Sequence, residues 1–474
     1  MRAANRAESM GTDGIWSLLV RFSLPATLAM MVMASYNIAD TIFVGRLGSQ
    51  AIAALSVSFP VQMLFGAVGI GTGVGAGSLI SRSLGAGDRG EASRTAGQVF
   101  FLTALFGVLT AGLGLRFLEP LLITFGATPE ILPHTVEYMG IVIAGSIFLY
   151  GIMMMNNAVR SEGNPMYPMV VMIGSSLLNI ALDPIFIFAL GLGIRGAAVA
   201  TVISKALGFS ALLYYYLSGR SSLSVSAKDL APYPPTILEI YRVGIPSLLM
   251  QMATNLSLLV VNNILGVFGY IPIAVMGLII RLQQFAFMPV IGISQGLLPI
   301  IGYNFGARKY PRIKEALLKG GAAGTAFMTV MGILFFAYPQ VFLGIFTDDP
   351  RIMDMGVEAL RYMVLMYPLI AGIVVSRTLF QAIGRGMPAL LLALLREVIL
   401  YIPLILVVPN YLDITGIWVS RPVADALTFA VTALVVAREF RRRGLALVGS
   451  SEDLEPVGED VAGTPASSVT PDGG

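Results

Sequence analysis

Long apolar runs separated by short polar stretches make up most of the chain. A membrane-spanning helix needs about 20 mostly apolar residues. Twelve runs reach or approach that length: residues 15–45, 51–80, 93–116, 133–157, 165–190, 194–217, 237–266, 272–301, 314–338, 357–383, 388–410 and 414–438. We expect helices, because only helices and closed barrels satisfy their backbone in lipid and these runs lack the alternation of barrel strands.

Composition supports a membrane protein. The chain has 474 residues, of which 56% are hydrophobic and 12% charged, and its mean hydropathy is +0.81. Soluble domains carry roughly 25% charged residues, so this chain could not cover its surface with polar groups in water. It contains no cysteine, which excludes disulfides and thiolate metal sites.

Lysine and arginine concentrate in the connections that follow even-numbered runs and in the stretch REFRRR at 438–443. Basic loops stay in the cytoplasm, so we expect a plasma-membrane protein with both termini cytoplasmic, no removable signal peptide and no nucleic-acid partner. The predicted division is a cytoplasmic N-terminus at 1–14, an N-terminal lobe at 15–217, a cytoplasmic linker at 218–236, a C-terminal lobe at 237–440, and a disordered cytoplasmic tail at 441–474.

The two halves resemble each other when the first is shifted by 221 positions. The matching pairs include Arg21 and Arg242, Pro25 and Pro246, Gln62 and Gln283, Gly71 and Gly292, Gly75 and Gly296, and Gly85 and Gly306. The sequence therefore predicts an all-α fold of two six-helix lobes related by a pseudo-twofold axis along the membrane normal. Repeats of this kind place a substrate site between the lobes, so the pattern favours a transporter.

Polar residues interrupt the apolar runs of the first half at helical spacing. Tyr36, Asn37 and Asp40 share one face of the first run. Asn179 and Asp183 are i,i+4 neighbours on the fifth. Thr201 lies in the sixth run. Position 261, equivalent to Asp40, is a valine, so we expect the second half to lack such a cluster.

A carboxylate in hydrocarbon costs roughly 2.5–3.5 kcal/mol, so these acids need a purpose. Asp40, Asn179, Asp183 and Thr201 offer an oxygen-rich site for a coupling ion, and a proton and sodium both fit. Pro25 and Pro184 remove backbone donors beside it and are candidate hinges. The alternative is that the acids only form hydrogen bonds between helices.

Five stretches, NIADTIFVGRLG, SRSLGAGDRGEA, NIALDPIFIF, GIRGAAVATVIS and FQAIGRGMPALLLALLRE, resemble the multidrug and toxic compound extrusion (MATE) family of the MOP superfamily. The resemblance covers roughly residues 15 to 440 and best matches the DinF-like branch. It implies export of amphipathic, often cationic compounds driven by proton or sodium entry. It also implies an ion site at Asp40, Asn179 and Asp183, with Tyr36, Tyr138 and Thr201 in support. The NorM-like branch adds carboxylates on spans seven and ten, which this chain lacks there.

Further residues are candidates for a substrate cavity. Arg281 interrupts LIIRLQQFAF and could face the cavity with Gln283 and Gln284, or extend toward a membrane interface. Met31 and Met153 are candidates for a flexible wall. Arg396 and Glu397 are adjacent, so we expect them to point to different faces and to have different partners.

Glycines at 69, 73 and 77 lie in an apolar run and follow no strand, so they predict close helix packing and not a phosphate-binding loop. The alternatives to a drug exporter are a related lipid or oligosaccharide flippase, a major facilitator transporter, and a membrane enzyme or receptor. One histidine and no cysteine give little basis for an enzyme or a cofactor. We expect a monomer that contacts small amphipathic compounds and membrane lipid.

Overall fold

The computed structural model describes residues 2–442, and within that range the chain forms helices and no strands. Within this described range ten helices are long and apolar enough to cross a membrane, and the number is twelve if each of two bent pairs of shorter helices counts as one span. The predicted all-helical membrane fold is confirmed. The tail beyond residue 442 lies outside the described residues.

The six spans of the N-terminal lobe, numbered 1 to 6 in chain order, include one bent pair and one span that ends in a π-helix. The bend, in span 4, is 52°. The bounds are Ile15–Gly45, Ser49–Gly85, Arg89–Arg116, Leu132–Ala144 with Ser146–Ser161, Met166–Pro184 with π-helical Ile185–Ala189, and Ile194–Leu217. A short helix, Leu118–Thr124, precedes span 4.

The C-terminal lobe repeats these features. Its fourth span is again a pair bent by 52°, its fifth again contains a π-helix, and a short helix, Pro339–Leu343, again follows its third. Spans 7 to 12 are Pro234–Val267, Tyr270–Gly306, Tyr310–Ala337, Pro350–Val364 with Tyr367–Ala382, Gly386–Leu394 with π-helical Leu395–Tyr401 and Ile402–Val407, and Pro409–Arg442. Non-helical backbone at Leu412 and Asp413 breaks the start of span 12.

Glycines let the two lobes touch backbone to backbone. A Cβ at Gly85 would collide with the carbonyl of Tyr303, and one at Gly306 would collide with that of Arg82, which lies 221 positions before Tyr303. Two more pairs of glycine contacts are related by the same shift of 221 positions. Gly71 lies against Leu248, and its counterpart Gly292 lies against Thr27. Gly75 lies against Gly244, and its counterpart Gly296 lies against Ser23. The interface is therefore self-complementary, as twofold symmetry requires.

Three apolar cores show where the lobes meet. The largest core takes residues from both lobes, such as Phe22 and Ile300, and contains Met10 and Phe440 near the ends of the described chain. The second core belongs to the C-terminal lobe alone and the third to the N-terminal lobe alone. The lobes are thus joined at the end that carries the termini, and the space between them opens away from it.

The N-terminal segment and the linker between the lobes are both held by hydrogen bonds at the end where the lobes are joined. A helix that was not predicted, Arg2–Thr12, crosses this end; Asn304 Nδ2 donates to the carbonyl of Met10 at 2.9 Å. In the linker, the carbonyls of Asp229 and Ala231 accept hydrogen bonds from the buried Gln98 side chain at 2.8 and 2.7 Å. Because both contacts satisfy buried polar groups, these segments belong to the folded body.

Candidate functional site

The polar residues predicted on separate spans of the N-terminal lobe lie together. Asn179 Nδ2 is 3.5 Å from Asp183 Oδ1 on span 5 and 3.3 Å from Thr201 Oγ1 on span 6. Asp40 of span 1 lies close enough to Asp183 for an electrostatic interaction. We call Asp40, Asn179, Asp183 and Thr201 the N-lobe oxygen cluster.

Three oxygen atoms of this cluster have no hydrogen-bond donor within the described part of the chain. They are Asp40 Oδ1, Asn179 Oδ1 and Asp183 Oδ2. Asp183 is 0% exposed and Asn179 is 2% exposed, so bulk water does not satisfy them. Buried acceptors without donors are rare and costly, and a proton or a hard cation such as sodium would satisfy all three.

The supporting residues differ in how they are placed. Tyr138 of span 4 is buried and interacts electrostatically with Asp40, Asp183 and Tyr36. Lys205 of span 6 places its ammonium 5.0 Å from the centre of the Tyr36 ring, a cation–π distance. Asn37, by contrast, is exposed. Tyr36 therefore lies between Tyr138, which is close to the cluster, and Lys205, a cation that the sequence pattern did not predict to be here.

The two prolines lie at different kinds of position. Pro25 is buried inside the continuous helix of span 1, two residues before the Thr27 contact with span 8. Pro184 ends the α-helical part of span 5, and the π-helix Ile185–Ala189 follows it directly. A π-helical turn is wider than an α-helical one and is frequent at functional sites.

A cavity of about 730 Å³ lies between the lobes. Both lobes line this cavity. The N-terminal lobe contributes residues such as Met30, Met153 and Ser176, and the C-terminal lobe contributes residues such as Gln283 and Phe287. The volume falls within the roughly 300–1,000 Å³ range of small-molecule sites. The geometry suits a compound of drug size held between two lobes.

Comparison with known proteins agrees with this architecture. The MatE family model matches residues 25–185 and, again, 246–407, which together cover more than half of the chain. The chain belongs to the MATE family. The two matches begin 221 residues apart, the same shift that relates the halves in the sequence.

Two curated relatives span nearly the whole chain. The multidrug export protein MepA of Staphylococcus aureus is 30% identical over 93% of this chain and 97% of its own length. A FAD transporter of Shewanella oneidensis is 29% identical over 87% of this chain and 92% of its own length. Their names associate two different cargoes with relatives that are about equally similar to this chain.

Solved structures give the same family. An outward-facing multidrug resistance MATE transporter matches with a TM-score of 0.87 and 26% identity, covering 92% of this chain and 98% of its own. A MOP superfamily transporter from Pyrococcus furiosus, described as having a binding pocket of reverse polarity, matches with the same score and identity over 91% and 97%. MATE proteins are transporters and not enzymes, so this chain is a multi-pass membrane transporter.

Some predicted residues of this MATE transporter do not line the cavity. Gln283 and Met153 are on its wall, whereas Arg281, Gln284 and Met31 are exposed and are not. The sequence pattern that suggested Arg281, Gln284 and Met31 is their position within apolar runs. A run does not reveal which helical face is turned to the cavity, because packing against other spans decides that.

The second half has no counterpart of the N-lobe oxygen cluster at the aligned positions, but it holds a polar cluster of another kind, which the sequence pattern did not predict. Asp425 of span 12 accepts a hydrogen bond from Arg396 Nε at 2.7 Å, and Arg421 donates to both oxygens of Glu397 at 3.0 and 3.1 Å. We call Arg396, Glu397, Arg421 and Asp425 the C-lobe ion-pair network. The comparison of aligned positions missed it because the network occupies other positions on spans 11 and 12.

Arg396 and Glu397 have different partners, but they also contact each other at 3.2 Å. The prediction of separate faces was therefore wrong in part. Both residues lie in the π-helix Leu395–Tyr401, where the turn is wider than the α-helical geometry on which the prediction rested.

The glycine prediction is confirmed. A Cβ at Gly69 would meet Met153, one at Gly73 would meet Asn157 and one at Gly77 would meet Ser161, all on span 4. These small residues let spans 2 and 4 approach closely.

Proposed function

We propose that this MATE transporter exports small amphipathic compounds by alternating access, and that a proton or sodium ion entering through the N-lobe oxygen cluster drives the export. The observation that carries the proposal is the set of three buried oxygens without donors on Asp40, Asn179 and Asp183. A buried acceptor that lacks a donor calls for a partner, whereas an acid that already pairs with an arginine has one.

The proposed coupling ion would be held by residues that fit it. Carboxylate, amide and hydroxyl oxygens are ligands for hard cations, and a carboxylate can equally take up a proton. In the described residues no group of three histidine, cysteine or acidic side chains is placed to hold a metal.

The hinge follows from where Pro25 lies. It is on the same span as Asp40 and beside the Thr27 contact that joins the lobes. An ion bound at Asp40 can shift the equilibrium only if it binds one conformation more tightly than the other. We propose that the bound conformation bends span 1 at Pro25, with Pro184 and its π-helix as the matching hinge on span 5.

The topology and branch belong to the same proposal. With the termini in the cytoplasm, as the basic loops predict, the present conformation has its cavity open to the outside of the plasma membrane. Carboxylates on spans 1 and 5 support the DinF-like branch. The protein would work as a monomer, since the ion site and the cavity are formed within one chain.

Transport in reconstituted vesicles tests the proposal. Rhodamine 6G and carboxyfluorescein would be followed under an imposed proton gradient and then a sodium gradient. We expect gradient-driven movement of at least one dye, and its loss in Asp40→Asn and Asp183→Asn, because an amide can neither take up the proton nor balance the sodium charge.

Glu119→Gln is the matched control, since Glu119 is an exposed acid of the same lobe and should transport normally. Gradient-driven transport that survives in both aspartate variants would overturn the ion site. Absence of movement in the unmodified protein with either ion would overturn the coupled exporter.

A further inference from the structure

The wall of the cavity carries far more positive than negative charge. Its cationic side chains come from both lobes, while Glu397 is the one acid among the lining residues within the described range. The five cationic residues are Arg160, Lys205, Arg377, Arg396 and Arg421. Asp40 and Asp183 are not part of this wall.

Two of the five cations are already neutralised. Arg396 pairs with Asp425 at 2.7 Å, and Arg421 pairs with Glu397 at 3.0 Å. Two cations and two acids balance each other in the C-lobe ion-pair network. The surplus therefore lies in the other three side chains.

None of those three has an acidic partner within residues 2–442. Arg160, near the end of span 4, is buried and donates to the neutral oxygens of Asn156, at 2.7 Å, and Gln295. Lys205 faces the Tyr36 ring. Arg377 has no hydrogen bond or ion pair in the described part of the chain, although the C-lobe ion-pair network lies near enough to influence it electrostatically.

Charges in such a place are costly. Removing a cation from water carries a desolvation penalty, and like charges around one cavity repel each other. Charged residues within a membrane accordingly mark functional sites and call for a partner of opposite sign. A bound anion would supply that partner to all three cations at once.

We propose that the cavity binds an amphipathic organic anion, whose negative head contacts Arg160, Lys205 and Arg377 and whose apolar body lies against Met30, Met153 and Phe287. The three cations come from both lobes, so the anion bridges the lobes across the cavity. The direction of transport rests on the function proposed above, but the charge of the cargo does not.

Equilibrium binding tests the charge without any gradient. Carboxyfluorescein and rhodamine 6G share a xanthene ring system and carry opposite charges. With the purified full-length protein in detergent, fluorescence anisotropy should show carboxyfluorescein binding at least about tenfold more tightly than rhodamine 6G, as a charge-assisted hydrogen bond predicts. Arg377→Gln should lower the affinity for carboxyfluorescein by about tenfold or more. It should not lower the affinity for rhodamine 6G.

Arg281→Gln is the matched control, because it removes the same charge from an exposed site of the same lobe. It should change neither affinity. Lys205→Gln provides a second variant should Arg377→Gln fail to fold. Tighter binding of rhodamine 6G, or equal effects of the Arg377 and Arg281 substitutions, would overturn the anionic cargo.

Failure of this inference can be told apart from failure of the proposed exporter. Anion binding without gradient-driven transport would support the cargo and reject the coupling. Rhodamine 6G transport that is lost in Asp40→Asn, together with no carboxyfluorescein binding, would support the coupling and reject the anionic cargo. If the protein moves fluorescently labelled phosphatidylglycerol between leaflets but does not bind carboxyfluorescein, the cations serve a lipid head group and the soluble cargo is rejected.

Discussion

The two lobes share a fold but differ in the partners of the acids in their polar clusters. In the C-terminal lobe, Glu397 and Asp425 each pair with an arginine at 2.7 to 3.0 Å. In the N-terminal lobe, Asp40 and Asp183 each keep an oxygen without a donor in the described residues. Paired acids stabilise one arrangement of helices, whereas unpaired acids remain available to an ion. A repeat can thus keep its architecture while its two copies give their acids different partners.

The largest expected effect comes from breaking a pair in the C-terminal lobe. Arg421→Met leaves the buried Glu397 with Arg396 as its remaining cation, and losing one partner of a buried pair costs about 3–5 kcal/mol. Thermal unfolding in detergent should show a large drop in melting temperature. Replacing Glu397 and Arg421 together by Met should be less damaging, because no charge is left unpaired; a double variant no more stable than the single would contradict the pairing.

Asp40→Asn in the N-terminal lobe should have a much smaller effect on stability. It replaces a half-buried carboxyl that has no arginine partner in the described residues, so the change in unfolding free energy should stay within about 1 kcal/mol, of either sign. The same thermal assay measures this change in stability. Asp425→Asn is the comparison, since it breaks the 2.7 Å pair with Arg396 and should destabilise the protein far more. Similar losses in both variants would remove the contrast between the lobes.

The smallest effect is expected for Glu162, an acid just beyond span 4. Within the described residues it lacks the arginine partner that the acids of the C-lobe ion-pair network have, but it does not lack donors as the acids of the N-lobe oxygen cluster do, because serine groups donate to it. It is buried, and it accepts hydrogen bonds from Ser221 Oγ at 2.7 Å and from the Ser222 backbone at 3.0 Å. Burial raises the pKa of the Glu162 carboxyl. The folded state therefore binds the proton more readily than the unfolded state, and stability falls as pH rises from about 4.3 toward the folded pKa.

Glu162→Gln should abolish that part of the pH dependence. Melting temperatures of the two proteins should be measured in steps between acid and neutral pH, with Glu119→Gln, an exposed acid, as control. The unmodified protein and the control should lose stability across this range more steeply than Glu162→Gln. Parallel curves for all three proteins would show that the buried carboxyl does not titrate between the folded and unfolded states.

The sequence predicted most of the fold because spans are local. An apolar run of sufficient length must become a helix in lipid whatever surrounds it, and the predicted bounds agree closely with helices such as Ile15–Gly45 and Ile194–Leu217. The break at Leu412 and Asp413 also agrees with a last run that begins at 414. The helix Arg2–Thr12 was not predicted because its docking on Asn304 and Lys309 is a tertiary contact.

The candidate ion site was predictable for a related reason. Asn179 and Asp183 are one helical turn apart, so their proximity follows from spacing alone, and acids in apolar runs are conspicuous. Their meeting with Asp40 and Thr201 needed the packing of spans 1, 5 and 6. The sequence favoured that meeting without requiring it.

The amino-acid sequence by itself determined the membrane-spanning helices, the twofold repeat and the polar residues that helical spacing brings together, because each depends on neighbours within a few turns. Only the tertiary structure decided which charges are neutralised and which face the cavity. Asp425 lies 29 residues from its partner Arg396, and Arg160 is buried by contacts that include Gln295 of the other lobe. The charge of a cavity depends on such distant pairings, because an unpaired cation is defined by what packs around it.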